Sequence, residues 1–328
     1  MMTTILQVDG LRKEYRKSAG LLGKLFGQSS TSLYAVEDVT FSLQAGETLG
    51  LVGESGCGKS TLSRTLMRLY EPTDGKITFL GEDVTASDGK SLRRIRKNMQ
   101  MVFQDPYSSL NPRMTVREML AETIRFHQIC QTEQELNAYI EFLLERVGLH
   151  VKDADKYPKA FSGGQRQRIC IARAIAVRPK LLIADEPVSA LDVSVQAHIL
   201  NLLENLKKEF QLSLIFISHD LSVVKYISDR VAVMYLGRIV EMGTTEEIFH
   251  RPVHPYTKAL LSAVPRLDLG KREKIGLEGD PPSPYERHKG CPFASRCPER
   301  MPHCEKEAPP FAQEGQTHQI RCHLATQS

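Results

Sequence analysis

The run Gly53-Glu54-Ser55-Gly56-Cys57-Gly58-Lys59-Ser60-Thr61 constrains this chain more than any other stretch. It meets every fixed position of the phosphate-loop pattern G-x-x-x-x-G-K-[ST]. Residues 47–52 before it form a short apolar segment that predicts a buried strand. Residues 62–69 after it carry apolar side chains at Leu62, Leu66 and Leu69, which predicts a helix. A strand, a glycine turn and a helix N-terminus together aim backbone N–H groups at phosphate oxygens, and the helix end adds partial positive charge. Residues 53–61 are therefore the candidate ATP-binding set, with Lys59 on the β- and γ-phosphates and Ser60 on Mg2+. Cys57 within the loop reads either as a small tolerated residue or as a thiolate activated by the helix end and Lys59.

With 328 residues the chain is long enough for about two domains. Lysine plus arginine number 43 against 39 acidic residues. That mild excess, with no dense basic block, predicts no nucleic-acid partner. The first residues lack a basic segment followed by an apolar run, so no signal peptide is expected. The longest apolar runs, such as Leu181–Ala184 and Val231–Leu236, fall far short of the ~20 residues of a spanning helix. The expectation is a soluble or peripheral cytosolic protein.

Along the chain, Ile5–Tyr15 and Tyr34–Leu43 read as strands flanking an inserted loop, Arg16–Ser32. Helical patterns cover Ser91–Lys97, Val116–Cys130, Glu133–Val147 and Val193–Phe210. Residues 105–112 are rich in turn formers, and the block 105–178 interrupts the alternation of strand and helix as an inserted helical subdomain would. Ser162-Gly163-Gly164-Gln165 opens a further helix, with Ser162 as its cap and the glycines leaving its end bare for an anion. Three apolar strands end in polar groups: residues 99–103 in Gln104, residues 180–184 in Asp185-Glu186, and residues 212–217 in Ser218-His219. In an open parallel sheet ligands gather at the carboxyl ends of strands. Asp185 is thus expected to hold Mg2+, Glu186 to polarise a water in line with the γ-phosphate, Gln104 to contact metal and water, and His219 to bond the γ-phosphate.

The order of phosphate loop, Gln104, Ser162–Gln165, Asp185-Glu186, Ser189-Ala190-Leu191-Asp192 and His219 resembles the nucleotide-binding subunits of ABC transporters. The resemblance implies an α/β fold: a P-loop, RecA-like ABC ATPase core with an antiparallel β subdomain, a helical signature subdomain and a small Cys-containing C-terminal extension. Residues 1–250 would be the nucleotide-binding domain and 251–328 the extension. It also implies a head-to-tail pair of ATPase domains in which Ser162, Gly163, Gly164 and Gln165 serve the partner's ATP, Ser189–Asp192 forms the D-loop, and Glu186, His219 and Gln104 are catalytic. An aromatic before the phosphate loop would stack on adenine; Tyr15 fits by strand position, with Tyr34 second.

The phrases Val102–Pro112, Val193–Ala197, Met234–Gly237 and His254–Leu261 narrow the resemblance to the bacterial oligopeptide/dipeptide importers, F-type member. It implies two membrane permeases, a second and different ATPase subunit, an extracytoplasmic solute-binding protein and a peripheral place on the cytoplasmic face of the inner membrane. Related importers carry nickel or oligosaccharides. A soluble ABC ATPase of DNA repair or translation is the other class; it usually carries two ATPase domains or long insertions, and this chain has one phosphate loop and one signature. Asp105–Pro112 would receive a permease coupling helix.

Of seven cysteines, Cys291, Cys297, Cys304 and Cys322 cluster near the end as C-x5-C-x6-C-x17-C. Four thiolates suit Zn2+ or a [4Fe–4S] cluster, the alternative being four free thiols. Tight C-x-x-C knuckles are missing, and the family resemblance implies the iron–sulfur cluster. His303 and His323 are reserve ligands.

Overall fold

The computed structural model describes residues 3–17, 31–263, 276, 279–283, 285, 289–315 and 317–326; most of the expected insertion at 16–32 lies outside them. The chain divides into two compact units. One comprises Met1–Thr3, Gln44–Thr48 and Ala86–Ser218, the other Thr4–Leu43, Leu49–Thr85 and His219–Ser328.

The first unit is built on three parallel strands, β6 (Met99–Val102), β7 (Leu181–Asp185) and β8 (Ser213–Ile217). β7 is central, with Val102 beside Ala184 and Asp185 beside Ile217. Every residue of β7 and β8 is buried, which is why both read as unbroken apolar runs. The helical block contains Val116–Phe126 and Glu133–Arg146. Each begins in a reciprocal cap, Thr115 with Glu118 and Thr132 with Glu135, that satisfies two otherwise orphan N–H groups. The first stops four residues short of Cys130, because Gln128 turns into the left-handed region at φ 52°. Helix Val193–Phe210 has the predicted ends; Gln211 closes it at φ 53°.

The second unit holds two sheets. β1 (Thr4–Lys17), β2 (Thr31–Gln44), β4 (Asp74–Phe79) and β5 (Glu82–Asp83) run in the order β2-β1-β4-β5, with β1–β4 and β4–β5 antiparallel. This is the expected antiparallel subdomain. The other sheet pairs β3 (Thr48–Val52) in parallel with β9 (Arg230–Tyr235), setting Val52 beside Val233. β9 turns back into β10 (Arg238–Thr244) through Leu236 and Gly237, both at positive φ. The phosphate-loop helix spans Lys59–Leu66 and is shorter than its apolar spacing predicts. Arg68 adopts φ 49° and ends it, so Leu69 is 44% exposed instead of joining the apolar face.

The C-terminal segment extends this second sheet. β12 (His318–Ile320) pairs with β10, placing Ile320 beside Glu241, and β11 (Ala312–Glu314) pairs with β12. Glu241 is fully buried and accepts bonds from the N–H groups of Val253 and His254 and contacts His318 Nε2 at 2.8 Å. Burial pulls the His318 pKa down, but the bond to Glu241 and the charges of Glu241, Glu247 and Glu314 outweigh it and leave the pKa raised. A raised histidine pKa stabilises fully below the unfolded value of about 6.5 and ceases to do so as pH climbs through the folded value. Amide exchange in β12 should therefore quicken as pH rises above neutrality, after correction for intrinsic exchange rates. In His318→Gln that pH dependence should vanish. An unchanged pH slope in the variant would remove His318 as its cause.

Candidate functional site

In the second unit the phosphate loop is closed on itself by its own lysine. Lys59 is buried and its Nζ donates to the carbonyl oxygens of Gly53 at 2.8 Å and Glu54 at 3.0 Å. The glycines are required by shape. Gly53 (φ 153°) and Gly58 (φ 106°) have conformations that L side chains rarely adopt, and a Cβ at either would strike a main-chain carbonyl, that of Met234 or Ala35. Ser55 and Gly56 are exposed, Ser60 and Thr61 half-buried at the start of the helix. Cys57 is 4% exposed, and burial raises its thiol pKa more than neighbouring Lys59 lowers it. The activated-thiolate reading is thereby corrected: this is a packed neutral thiol. Tyr15 lies next to the loop. Its side chain hydrogen-bonds Thr61, and its ring meets Tyr70 edge-on at 5.9 Å. Tyr34 sits half-buried on β2. His219 is exposed, directly before Asp220, which caps helix Leu221–Ile227.

In the first unit Gln104 follows β6 and Asp185-Glu186 ends β7. Gln104 Nε2 donates to Glu186 Oε2 at 2.8 Å, joining two of the residues expected to act on water. Asp185 is buried at 1% exposure. Glu186 has φ 48°, its N–H donates to Ile217 of β8 at 3.0 Å, and its carbonyl accepts from Ser189 Oγ at 3.1 Å. The sharp left-handed turn at Glu186 thus redirects the chain from β7 into Ser189–Asp192. That loop is largely exposed; Val193 beyond it is 81% exposed.

Helix Gly163–Ile175 starts at Ser162 in a reciprocal cap. Gln165 N–H donates to Ser162 Oγ at 3.3 Å, and Ser162 N–H donates to Gln165 Oε1 at 3.0 Å. Ser162 caps the helix as the sequence predicts, and the Gln165 side chain closes the cap from the other side. The Ser162 hydroxyl, accepting one bond, retains a proton to donate. Gly164 is buried, and a Cβ there would lie 2.5 Å from Val195 Cγ1. Pro106–Ser109 forms one helical turn capped by Asp105, and Tyr107 on it is 65% exposed with Arg166 over its ring at 3.9 Å.

Sequence reasoning missed a set of contacts to the loop from beyond residue 250. Tyr256 OH accepts the Glu54 N–H at 2.9 Å, and Arg296 grips the Glu54 carboxylate at 2.8 and 3.1 Å. Cys291, Cys297, Cys304 and Cys322 line one recess beside these residues. Three of the sulfurs accept a main-chain N–H two residues on: Cys291 from Phe293, Cys297 from Glu299, Cys322 from Leu324. Burial still lifts the Cys291 thiol to about 12 and Cys297 to about 11. Among the described residues His303, Cys304 and His323 form a group that could hold a metal ion, with ligand atoms within 4.8 Å of one another. Among the described residues no helix is long and apolar enough to cross a membrane.

Comparison with known proteins fits this arrangement. Residues 36–189 match the ABC transporter family, and residues 240–304 match the oligopeptide/dipeptide transporter C-terminal region. The chain is 51% identical to the oligopeptide transport ATP-binding protein AppF of Bacillus subtilis, over 98% of this chain and 97% of that one. It is 50% identical to OppF of Escherichia coli, covering 93% and 92%. It is 46% identical to the dipeptide transport ATP-binding protein DppF of Haemophilus influenzae, covering 98% and 96%. Among solved structures, a dimeric ATP-binding cassette bound to ADP and Pi aligns with a TM-score of 0.64 at 26% identity, covering 74% of this chain and 99% of that one. CbiO1 from Clostridium perfringens, part of the ABC transporter complex cbiONQ, aligns with a TM-score of 0.64 at 28% identity, covering 76% and 92%. A phosphate loop, a capped signature helix and strand-end carboxylates, continuous with these alignments, place the chain in the ABC transporter ATP-binding family, among the ATP-hydrolysing subunits of oligopeptide/dipeptide transporters.

Proposed function

We propose that the chain powers import of di- or oligopeptides, pairing with a second, different ATPase subunit beneath two permeases fed by an extracytoplasmic solute-binding protein. The relatives' names support the cargo, and the bond from Gln104 to Glu186 carries the enzymatic reading, because it fixes a carboxylate and an amide at adjoining strand ends.

In this reading a water attacks the γ-phosphorus in line, Glu186 takes its proton, and the bond to the ADP oxygen breaks. Gln104 orients Glu186 and the water. Lys59 leaves the loop carbonyls for the β- and γ-phosphates, and His219 donates to the γ-phosphate. The oxygen donors of Ser60, Gln104 and Asp185 suit Mg2+; Gln104 gives its amide N–H to Glu186, which leaves its carbonyl oxygen for a metal. Bound there, Mg2+ would neutralise charge developing on the phosphates. Tyr15 offers its ring to adenine. Ser162, Gly163, Gly164 and Gln165 would serve the partner's ATP, with Ser189, Ala190, Leu191 and Asp192 along the same seam. ATP then closes the pair, hydrolysis opens it, and Asp105–Pro112 with exposed Tyr107 hands the motion to a permease. The place of work is the cytoplasmic face of the membrane. Reconstitution with the permeases and binding protein in vesicles tests the cargo: peptide-dependent ATP hydrolysis with peptide uptake is expected. Stimulation by nickel or an oligosaccharide in place of peptides would reassign it.

We infer that the cysteine recess would hold a thiolate-bound metal group. The donor set is four cysteines with main-chain N–H groups on three sulfurs, and the wholly buried His254 Nε2, which also lines the recess, has no hydrogen-bond partner. We assign a [4Fe–4S] cluster to Cys291, Cys297, Cys304 and Cys322; it would tie the tail segments together. Anaerobically purified protein should be brown and contain about four iron and four sulfide per chain. Colourless protein with one zinc would overturn that assignment in favour of Zn2+.

A further inference from the structure

Glu54 stands at the second position of the phosphate loop, where a carboxylate is poorly suited to a site that binds a polyanion. Its main-chain N–H is taken by Tyr256 OH, its carbonyl oxygen by Lys59 Nζ at 3.0 Å, and its carboxylate by both terminal nitrogens of Arg296. Side-chain exposure is 6% for Arg296 and 25% for Glu54, so the pair is only partly screened by water.

Arg296 is itself held firmly. It ends the turn Ala294–Arg296, which lies between Cys291 and Cys297. Phe293, at the start of that turn, is fully buried against Tyr235, Tyr256 and His254, with ring centroids 5.3, 5.4 and 5.7 Å away. Cys291 N–H donates to Cys304 carbonyl at 2.7 Å, tying the turn to the next cysteine segment. The guanidinium also reaches Tyr235 OH at 3.4 Å. A planar fork fixed in this way matches both carboxylate oxygens at once, which a lysine cannot do.

We propose that Arg296 is a positioning residue for nucleotide binding: the C-terminal segment uses it to neutralise Glu54 and to hold the phosphate loop in its anion-binding form. Without it, an uncompensated carboxylate faces the triphosphate. The effect falls on nucleotide affinity, because Arg296 touches the loop and not the attacking water. It therefore appears in Kd and KM for ATP and leaves kcat nearly alone.

The test uses the full chain, titrated with a fluorescent ATP analogue, and the assembled transporter for turnover. The analogue reads binding independently of cargo and of metal content, so failure here is distinct from failure of the peptide or cluster assignments. Arg296→Gln should weaken binding and raise KM about tenfold, more than an exposed ion pair contributes and less than the cost of breaking a wholly buried one, with kcat within about twofold of wild type. Arg296→Lys should fall between. Glu54→Gln combined with Arg296→Gln should recover most of the loss, because the charge that needs neutralising has gone. Wild-type affinity in Arg296→Gln, or a double variant as weak as the single one, would overturn the proposal. Should Arg296→Gln fail to fold, the double variant is compared with Arg296→Lys. Tighter binding by the double variant supports the proposal, and the reverse order refutes it.

Discussion

Replacing Glu186 by Gln should lower ATP turnover of the assembled transporter by about a hundredfold or more while nucleotide affinity stays within a few-fold of wild type. General-base assistance contributes on the order of 10²–10⁴ in rate, and the amide keeps the shape of the carboxylate while losing its basicity. The local structure favours a clean result. The Glu186 main chain is fixed by its N–H bond to Ile217 and by Ser189 Oγ on its carbonyl, neither of which involves the side chain that changes. A Gln104→Ala companion should lose less, because it removes the orienting bond and leaves the base. Phosphate release under steady state, read beside binding of the fluorescent analogue, separates the two quantities. Turnover above about a tenth of wild type in Glu186→Gln would sink its role as base, since it falls below the least effect general-base catalysis predicts.

The second large effect is expected at Gly58. Alanine there must take φ near 106° and push its Cβ into the Ala35 carbonyl, which belongs to β2 and cannot swing aside as a side chain would. Backbone strain plus this collision should cost about 3 kcal/mol of stability. Nucleotide affinity should drop about a hundredfold, equivalent to losing one or two charge-assisted hydrogen bonds from the loop. By contrast Gly56→Ala meets nothing within 4 Å and carries only the penalty of its φ of 78°. Thermal unfolding with and without ATP distinguishes the sites. Gly58→Ala should melt early and gain little from nucleotide, whereas Gly56→Ala should keep most of its ligand-induced shift. Equal behaviour of the two variants would remove the Ala35 collision as the cause.

Which features could be read from residues alone follows from the range of the forces involved. Helix Val193–Phe210 was legible to the residue, because its amphipathic pattern and ends are local. β7 and β8 were legible because burial on both faces leaves an uninterrupted apolar run. The end of the phosphate-loop helix was not, since the left-handed turn at Arg68 has no glycine to announce it. The hairpin of β11 and β12 also escaped: its short strands carry polar residues, and only Gly315, at φ 69°, marks the turn. For the candidate site, the phosphate loop, signature and strand-end groups stood out because each is contiguous. The bonds of Tyr256 and Arg296 to Glu54 could not be found by pattern, because no periodicity connects positions so far apart. The phrase His254–Leu261 was a marker of family, and its packing against the loop becomes visible only in three dimensions.

That separation bears on biosynthesis. Glu54 and Arg296 are 242 residues apart, so the loop leaves the ribosome long before the arginine that neutralises it is made. At ~5–20 residues per second the interval is roughly 10–50 s. During it the nascent chain carries an uncompensated carboxylate in its nucleotide loop, and β10 waits for β12 to pair with it. Chains released before Arg296 is made should therefore bind ATP about tenfold more weakly, as Arg296→Gln is expected to do.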